Sequence, residues 1–197
     1  MANQKVTDLT PRTSADGTEE VYAVHNGLDF RMTLDAMHNV PVNGFADYND
    51  TTGSVAISAD TWTAIPNNGA GPFTNLNYLP KDTTALMDTT TGSIDPRELN
   101  LGDTILIRAD FTVTPQTNNT ALDFRYTLGY GGNAYTLEHQ LGRLDRGGGE
   151  SYRFALRSDL IYMGDTNTRD NLIGLGVKCS GEAMMVNAGA VIQVIKR

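Results

Sequence analysis

The stretch Thr104–Pro115, TILIRADFTVTP, decides how this chain is read. Ile105, Ile107, Ala109, Phe111 and Val113 alternate with Arg108, Asp110, Thr112 and Thr114, and Leu106 is the one apolar break in the polar set. Successive strand side chains point to opposite faces, so this pattern predicts a strand with one buried and one solvated face. The pattern recurs downstream. Leu122, Phe124, Tyr126 and Leu128 alternate with Asp123, Arg125 and Thr127. Tyr135, Leu137, His139 and Leu141 alternate with Thr136, Glu138 and Gln140; Tyr152, Phe154 and Leu156 alternate with Arg153, Ala155 and Arg157. Ile173, Leu175, Val177 and Cys179 continue the series. Pro115–Asn119, Gly129–Asn133 and Arg146–Gly149 carry the turn chemistry between runs. Half-buried strands without intervening helices predict an all-β fold, an antiparallel β-sandwich with a jelly roll favoured.

The last run differs. Val191, Ile192, Val194 and Ile195 place apolar groups on both faces of Ala183–Ile195, with only Gln193 interrupting. A strand apolar on both sides is expected to be covered on both. Either it lies at a subunit interface, or it is a central strand under a long loop. Upstream, Gly53–Ile57 and Thr61–Ile65 read as strands, with Trp62 a large apolar anchor. Pro66–Pro72 is a loop, and the polar, Thr-rich stretch Asn75–Gly92 predicts either a packed excursion or an arm that wraps a neighbouring subunit.

Residues 1–45 read as a segment separate from the β-domain of residues 46–197. Lys5–Leu9 is extended, Val21–Val24 and Phe30–Met32 flank an Asn26-Gly27 hairpin turn, and Thr33 caps a brief helical turn over Leu34–His38. Two tiny strands and one helical turn cannot bury enough apolar area to stand alone, so the segment needs another surface.

These residues carry a resemblance. Lys5-Val6-Thr7-Asp8-Leu9, then Glu19–Val24, then Phe30–Met37 resemble an N-terminal segment common in phage tail-fibre and head-fibre proteins. Phe30 and Met32 stand around Arg31 where that segment often has a second basic residue. The resemblance implies a virion location and attachment to the particle (capsid, portal or tail) through Lys5, Val6, Leu9, Val21, Tyr22, Val24, Phe30, Met32, Leu34 and Met37. Leu101-Gly102-Asp103 and Tyr162-Met163-Gly164-Asp165 are similar to the entry and exit of small jelly-roll domains of phage fibres. Such domains are generally trimers, which tips the last strand towards an interface made by Val191, Ile192, Val194 and Ile195. The expected role is a structural head or tail fibre, spike or capsid decoration protein.

Composition bounds the alternatives. The 197 residues suit one domain with a small appendage, and 40% hydrophobic with 19% charged residues argues against disorder. No apolar run reaches the length of a membrane helix, and no secretory core opens the chain. Residues 1–100 hold 5 Lys and Arg against 13 Asp and Glu, so the net charge of −8 sits in the first half and disfavours a nucleic-acid partner. Cys179 is the one cysteine, which excludes an intrachain disulfide.

No catalysis and no cofactor or metal are expected. His25, His38 and His139 show no HxH or HxxxH spacing, and there is no Gly-x-Ser-x-Gly elbow or phosphate loop. Asp110 and Asp123, expected on outward faces of neighbouring strands, offer a glycosidase-like carboxylate pair, but Arg108 and Arg125 nearby suggest cross-strand ion pairs instead. Among enzymes, a polysaccharide depolymerase is the one to test. Gly164–Asn171 groups hard oxygen ligands around Asp165 and Asp170, as Ca²⁺ sites do, yet its spacing matches no EF-hand and Asx-turn chemistry explains it equally. A second reading is a receptor module that binds a host-surface glycan, with Trp62, Phe73, Tyr78 or Tyr130 stacking on sugars.

Overall fold

Strand alternation sets the frame of the computed structural model, which describes residues 20–25, 28–33 and 43–197. The chain divides into two units, Met1–Val40 and Pro41–Arg197. In the first, β1 (Glu20–His25) and β2 (Leu28–Thr33) form an antiparallel hairpin in a register running from Glu20↔Thr33 to His25↔Leu28. Lys5, Val6, Leu9, Leu34, Met37 and the expected turn at Leu34–His38 lie outside the described residues.

The second unit is a jelly roll. Its strands are β3 (Asn43–Asn49), β4 (Ser54–Ile57), β5 (Thr63–Ala64), β6 (Met87–Asp88), β7 (Ser93–Ile94), β8 (Thr104–Pro115), β9 (Thr120–Tyr130) and β10 (Tyr135–Leu144). Then follow β11 (Tyr152–Ala155), β12 (Asp159–Tyr162), α1 (Thr166–Asp170), β13 (Leu172–Cys179) and β14 (Ala183–Ile195). One sheet has the order β11–β8–β14–β3, with β12 also on β8 and β4 also on β14. The other runs β10–β9–β13–β7–β6, with β5 on β13. β3 pairs with the last strand, β14, β5 with β13, β8 with β11 and β12, and β9 with β10. That nested antiparallel pairing is a hairpin rolled into two sheets. β3 starts at Asn43, so the β-domain takes in residues 43–45.

The faces fall where the alternation puts them. Ile105, Ile107, Phe111 and Val113 of β8 are buried against Leu122, Phe124 and Tyr126 of β9, and Phe111 stacks on Phe124 across the sheets at 6.2 Å between centroids. Ile173, Val177, Cys179, Met185, Ile192 and Val194 complete the core.

Two expectations change, and two open alternatives are narrowed. Tyr135 and Leu137 are 43% and 42% exposed, because β10 is an edge strand and the facing sheet does not extend over it. The register also shifts between Gln140 and Gly142, so the inward phase resumes at Leu144, which is buried. Asp110 and Asp123 are not on neighbouring strands: β8 and β9 follow each other in sequence but belong to opposite sheets. Asp110 pairs with Arg108 at 2.8 Å and Asp123 with Lys178 at 3.3 Å, while Arg125 reaches Glu138 at 4.0 Å.

The stretch 66–100 packs on its own subunit. Leu86, Met87, Ile94 and Leu99 are buried in this chain's core, and the buried Asn187 donates from Nδ2 to the Pro66 carbonyl at 2.7 Å. Finally, the long loop does not cover the outer face of β14 within this chain. Its outward residues Met184, Val186 and Ile195 are exposed, and Val191 is half-buried.

Candidate functional site

Two surfaces stand out, one on the outer face of each sheet. The first is an apolar band across β12, β8, β14 and β3. Register sets Leu160 opposite Leu106, Leu106 opposite Gln193, and Gln193 opposite Phe45. Phe45 in turn stacks on Tyr78 at 5.1 Å. The next row holds Tyr162, Thr104, Ile195 and Asn43. Leu160 is 61% exposed and Tyr78 58%, with Tyr162, Phe45 and Ile195 also exposed. Leu106, the apolar break in the β8 pattern, belongs to this band; it is the sequence signal that marks the surface.

Of the four residues expected at an interface, Ile192 and Val194 are turned into the chain's own core and touch no outer surface. Val191 and Ile195 face outwards. Val191 lies between Arg108 and Asp47 in neighbouring strands. Burial pushes the Asp47 carboxyl above its ordinary range, which Arg108 opposes and Asp110 reinforces.

The second surface is a groove of about 270 Å³ on the outer face of β9 and β13. The partner of β13 is split here: β5 pairs with Gly176 and Val177, and β7 with Ile173 only. The gap between them leaves Gly174 half-buried and without a strand partner on that side, while Gly176, paired with Ala64, is buried beside Trp62. Both glycines face outward, since their alternating neighbours Ile173, Leu175 and Val177 are buried. Trp62 stands beside Gly176, with the Arg125 guanidinium 4.3 Å and the Lys178 ammonium 4.9 Å from its ring. Tyr130, opposite Leu172, stands at the other end, and Thr127 lies opposite Gly174 between them. Thr91 and Ser93 form the far wall. Of the aromatics singled out for stacking, the structure therefore brings Trp62 and Tyr130 together. Tyr78 joins the other face, and Phe73, 76% exposed, lines neither surface. The two glycines are the residues that sequence reasoning missed; their sign was glycine at alternate positions inside a strand.

The remaining candidates resolve simply. His139 is half-buried, 3.8 Å from Asp159. Asp165 is the N-cap of α1, its Oδ1 accepting from the Thr168 amide at 2.7 Å, and Arg169 pairs with Asp170. Among the described residues no three His, Cys, Asp or Glu side chains gather as metal ligands. No described helix is long and apolar enough to cross a membrane.

No protein-family model matches the sequence, and no curated protein matches it. Solved structures with which it aligns include Eiger TNF from S. frugiperda, at 13% identity and TM-score 0.37 over 79% of this chain and 92% of that one. Another is the VP2 subviral particle of infectious bursal disease virus, at 10% identity and TM-score 0.45 over 94% of this chain and 41% of that one. A third is the Gt strain of infectious bursal disease virus, at 12% identity and TM-score 0.36 over 95% of this chain and 42% of that one. This chain thus spans about two fifths of the length of the viral chains.

Proposed function

We propose that this chain is a structural component of a bacteriophage particle: a head or tail fibre, spike or capsid decoration protein that docks through its N-terminal segment and projects a homotrimeric jelly roll. The observation that carries this reading is the β1–β2 hairpin. It is two strands of six residues each, set in the sequence pattern that resembles fibre attachment segments. A lone two-stranded hairpin is marginal in water, and a partner surface on a capsid, portal or tail protein supplies what it lacks.

The apolar band supports the trimer. Monomers rarely leave a contiguous apolar patch of several large side chains open, and such patches mark contact sites. A second copy is the occupant the reading assigns, with Leu160, Leu106, Gln193 and Phe45 across its middle and Val191 and Ile195 on either side. The chain performs no catalysis in this role.

The test removes residues 1–40. The truncated protein is expected to remain folded and trimeric while losing attachment to particles, followed by electron microscopy of particles carrying labelled protein. A full-length mass near one chain, 21.3 kDa, removes the trimer. Undiminished attachment of the truncated protein removes the docking role.

A further inference from the structure

We propose that the groove between Trp62 and Tyr130 binds one neutral pyranose residue of a surface glycan, an activity separate from particle attachment. Four observations converge on it.

The floor comes first. Glycine weakens a strand interior, and where it occurs it commonly marks a bulge or a place where another group approaches closely. A Cβ built at Gly174 would meet only the Thr127 Cβ at 3.8 Å, and one at Gly176 would meet nothing nearer than 3.4 Å. Neither position is reserved for glycine by packing. The missing side chain at Gly174 keeps the floor of the groove open, and the one at Gly176 lets Trp62 lie close against the strand.

The walls come second. An indole and a phenol at opposite ends of a shallow groove present apolar ring surface, which the C–H faces of a sugar ring cover well. Arg125 and Lys178 lie against the indole and hold it in place.

Polar chemistry is third. Hydroxyl-bearing residues (Thr91, Ser93, Thr127) and the half-buried backbone at Gly174 line the space between the rings. They both donate and accept hydrogen bonds, as a polyhydroxyl ligand requires.

Charge decides the class. Arg125 faces Glu138, and Lys178 is paired with Asp123 at 3.3 Å, so each cation is matched by an acid. An anionic ligand would have to displace a carboxylate to gain a cation. A neutral sugar displaces nothing.

Trp62 is the only tryptophan in the chain, so intrinsic indole fluorescence reports on this groove. The test titrates the full-length protein with neutral oligosaccharides (glucose, galactose, mannose and N-acetylglucosamine oligomers) and, separately, with hexuronic and sialic acid oligomers. At least one neutral sugar is expected to shift or quench Trp62 emission saturably. Gly174→Val, whose Cβ meets nothing nearer than the Thr127 Cβ at 3.8 Å and which suits a strand, is expected to abolish the response while the thermal melt shows the protein still folded. Tyr130→Ala is expected to weaken it roughly tenfold, the scale of one lost aromatic contact. No saturable response to any neutral sugar overturns the proposal, as does a response confined to the acidic sugars. A response that Gly174→Val leaves intact places the binding elsewhere and overturns it equally. Particle attachment is unaffected by any of these outcomes.

Discussion

The Leu86 amide donates a hydrogen bond to the phenolic oxygen of Tyr48 at 2.7 Å, joining β3 to a point 38 residues later in the chain. The Tyr48 side chain is buried, and its backbone carbonyl accepts from Asn67 Nδ2 at 3.0 Å. One residue thus fastens two points of the long excursion, its start and its interior, to the first strand of the jelly roll. Tyr48→Phe removes the acceptor and leaves the Leu86 amide buried without a partner, at a cost of about 1–3 kcal/mol. Urea denaturation checks the magnitude. Faster proteolytic nicking within residues 66–100 than in the native protein checks the location.

Gly189 sits where the β14 register shifts between Asn187 and Gly189, at φ +149. A Cβ there would lie 2.4 Å from the Tyr48 carbonyl oxygen, a backbone atom that cannot step aside. Gly189→Ala is expected to cost at least about 3 kcal/mol, combining backbone strain with the clash. A thermal melt indistinguishable from that of the native protein would contradict it.

Ile192 and Ile195 are three residues apart on one strand and face opposite ways, one fully buried and one 38% exposed. Ile192→Ala is expected to lose about 2–5 kcal/mol of stability through the cavity it leaves, with assembly intact once folded. Ile195→Asp is expected to change monomer stability little and to dissociate the proposed trimer, since a charge would be buried at the proposed contact. Light scattering and denaturation, run on both variants, separate the two effects.

Burial pushes the Cys179 thiol from an ordinary value of 9.0 up to about 11, with the Asp123 carboxylate adding to the rise. The unfolded chain therefore ionises first. The associated stability is fully present below about pH 9 and is lost as pH rises towards about 11. Cys179→Ala is expected to show a shallower decline in unfolding free energy across that window. In the native protein the thiol is expected to resist a disulfide reagent at about pH 8 until denaturant is added, because the thiolate is the reactive form.

Asp165 caps α1, its Oδ1 accepting from the Thr168 amide at 2.7 Å. Asp165→Ala is expected to cost about 1 kcal/mol, the usual value of an N-cap carboxylate. Excess chelator is expected to leave the Tm of the native protein unchanged, and a fall of several degrees would show a cation at this loop.

Much of the β-domain was legible in the alternation of β8, β9 and β13. Ile107, Phe124 and Val177 are buried as their spacing requires, because side-chain direction along a strand is a local property. Leu137 was misread for a reason outside its own strand: its inward face meets solvent because β10 is at a sheet edge. The groove was half legible. Trp62 and Tyr130 were visible as exposed-aromatic candidates, but nothing local announces that residues 68 positions apart flank one pair of glycines.

The sequence by itself determined that this chain makes antiparallel strands, which side of most of them is apolar, and that its N-terminal hairpin is a separate unit. Only the tertiary structure decided that β8 and β9 part into opposite sheets, that Ile192 and Val194 serve the core rather than a contact, and that Gly174 and Gly176 floor a groove. The physical reason is range. Alternation and turn chemistry act between residues a few positions apart, whereas sheet membership and burial depend on which distant strands supply the facing surface.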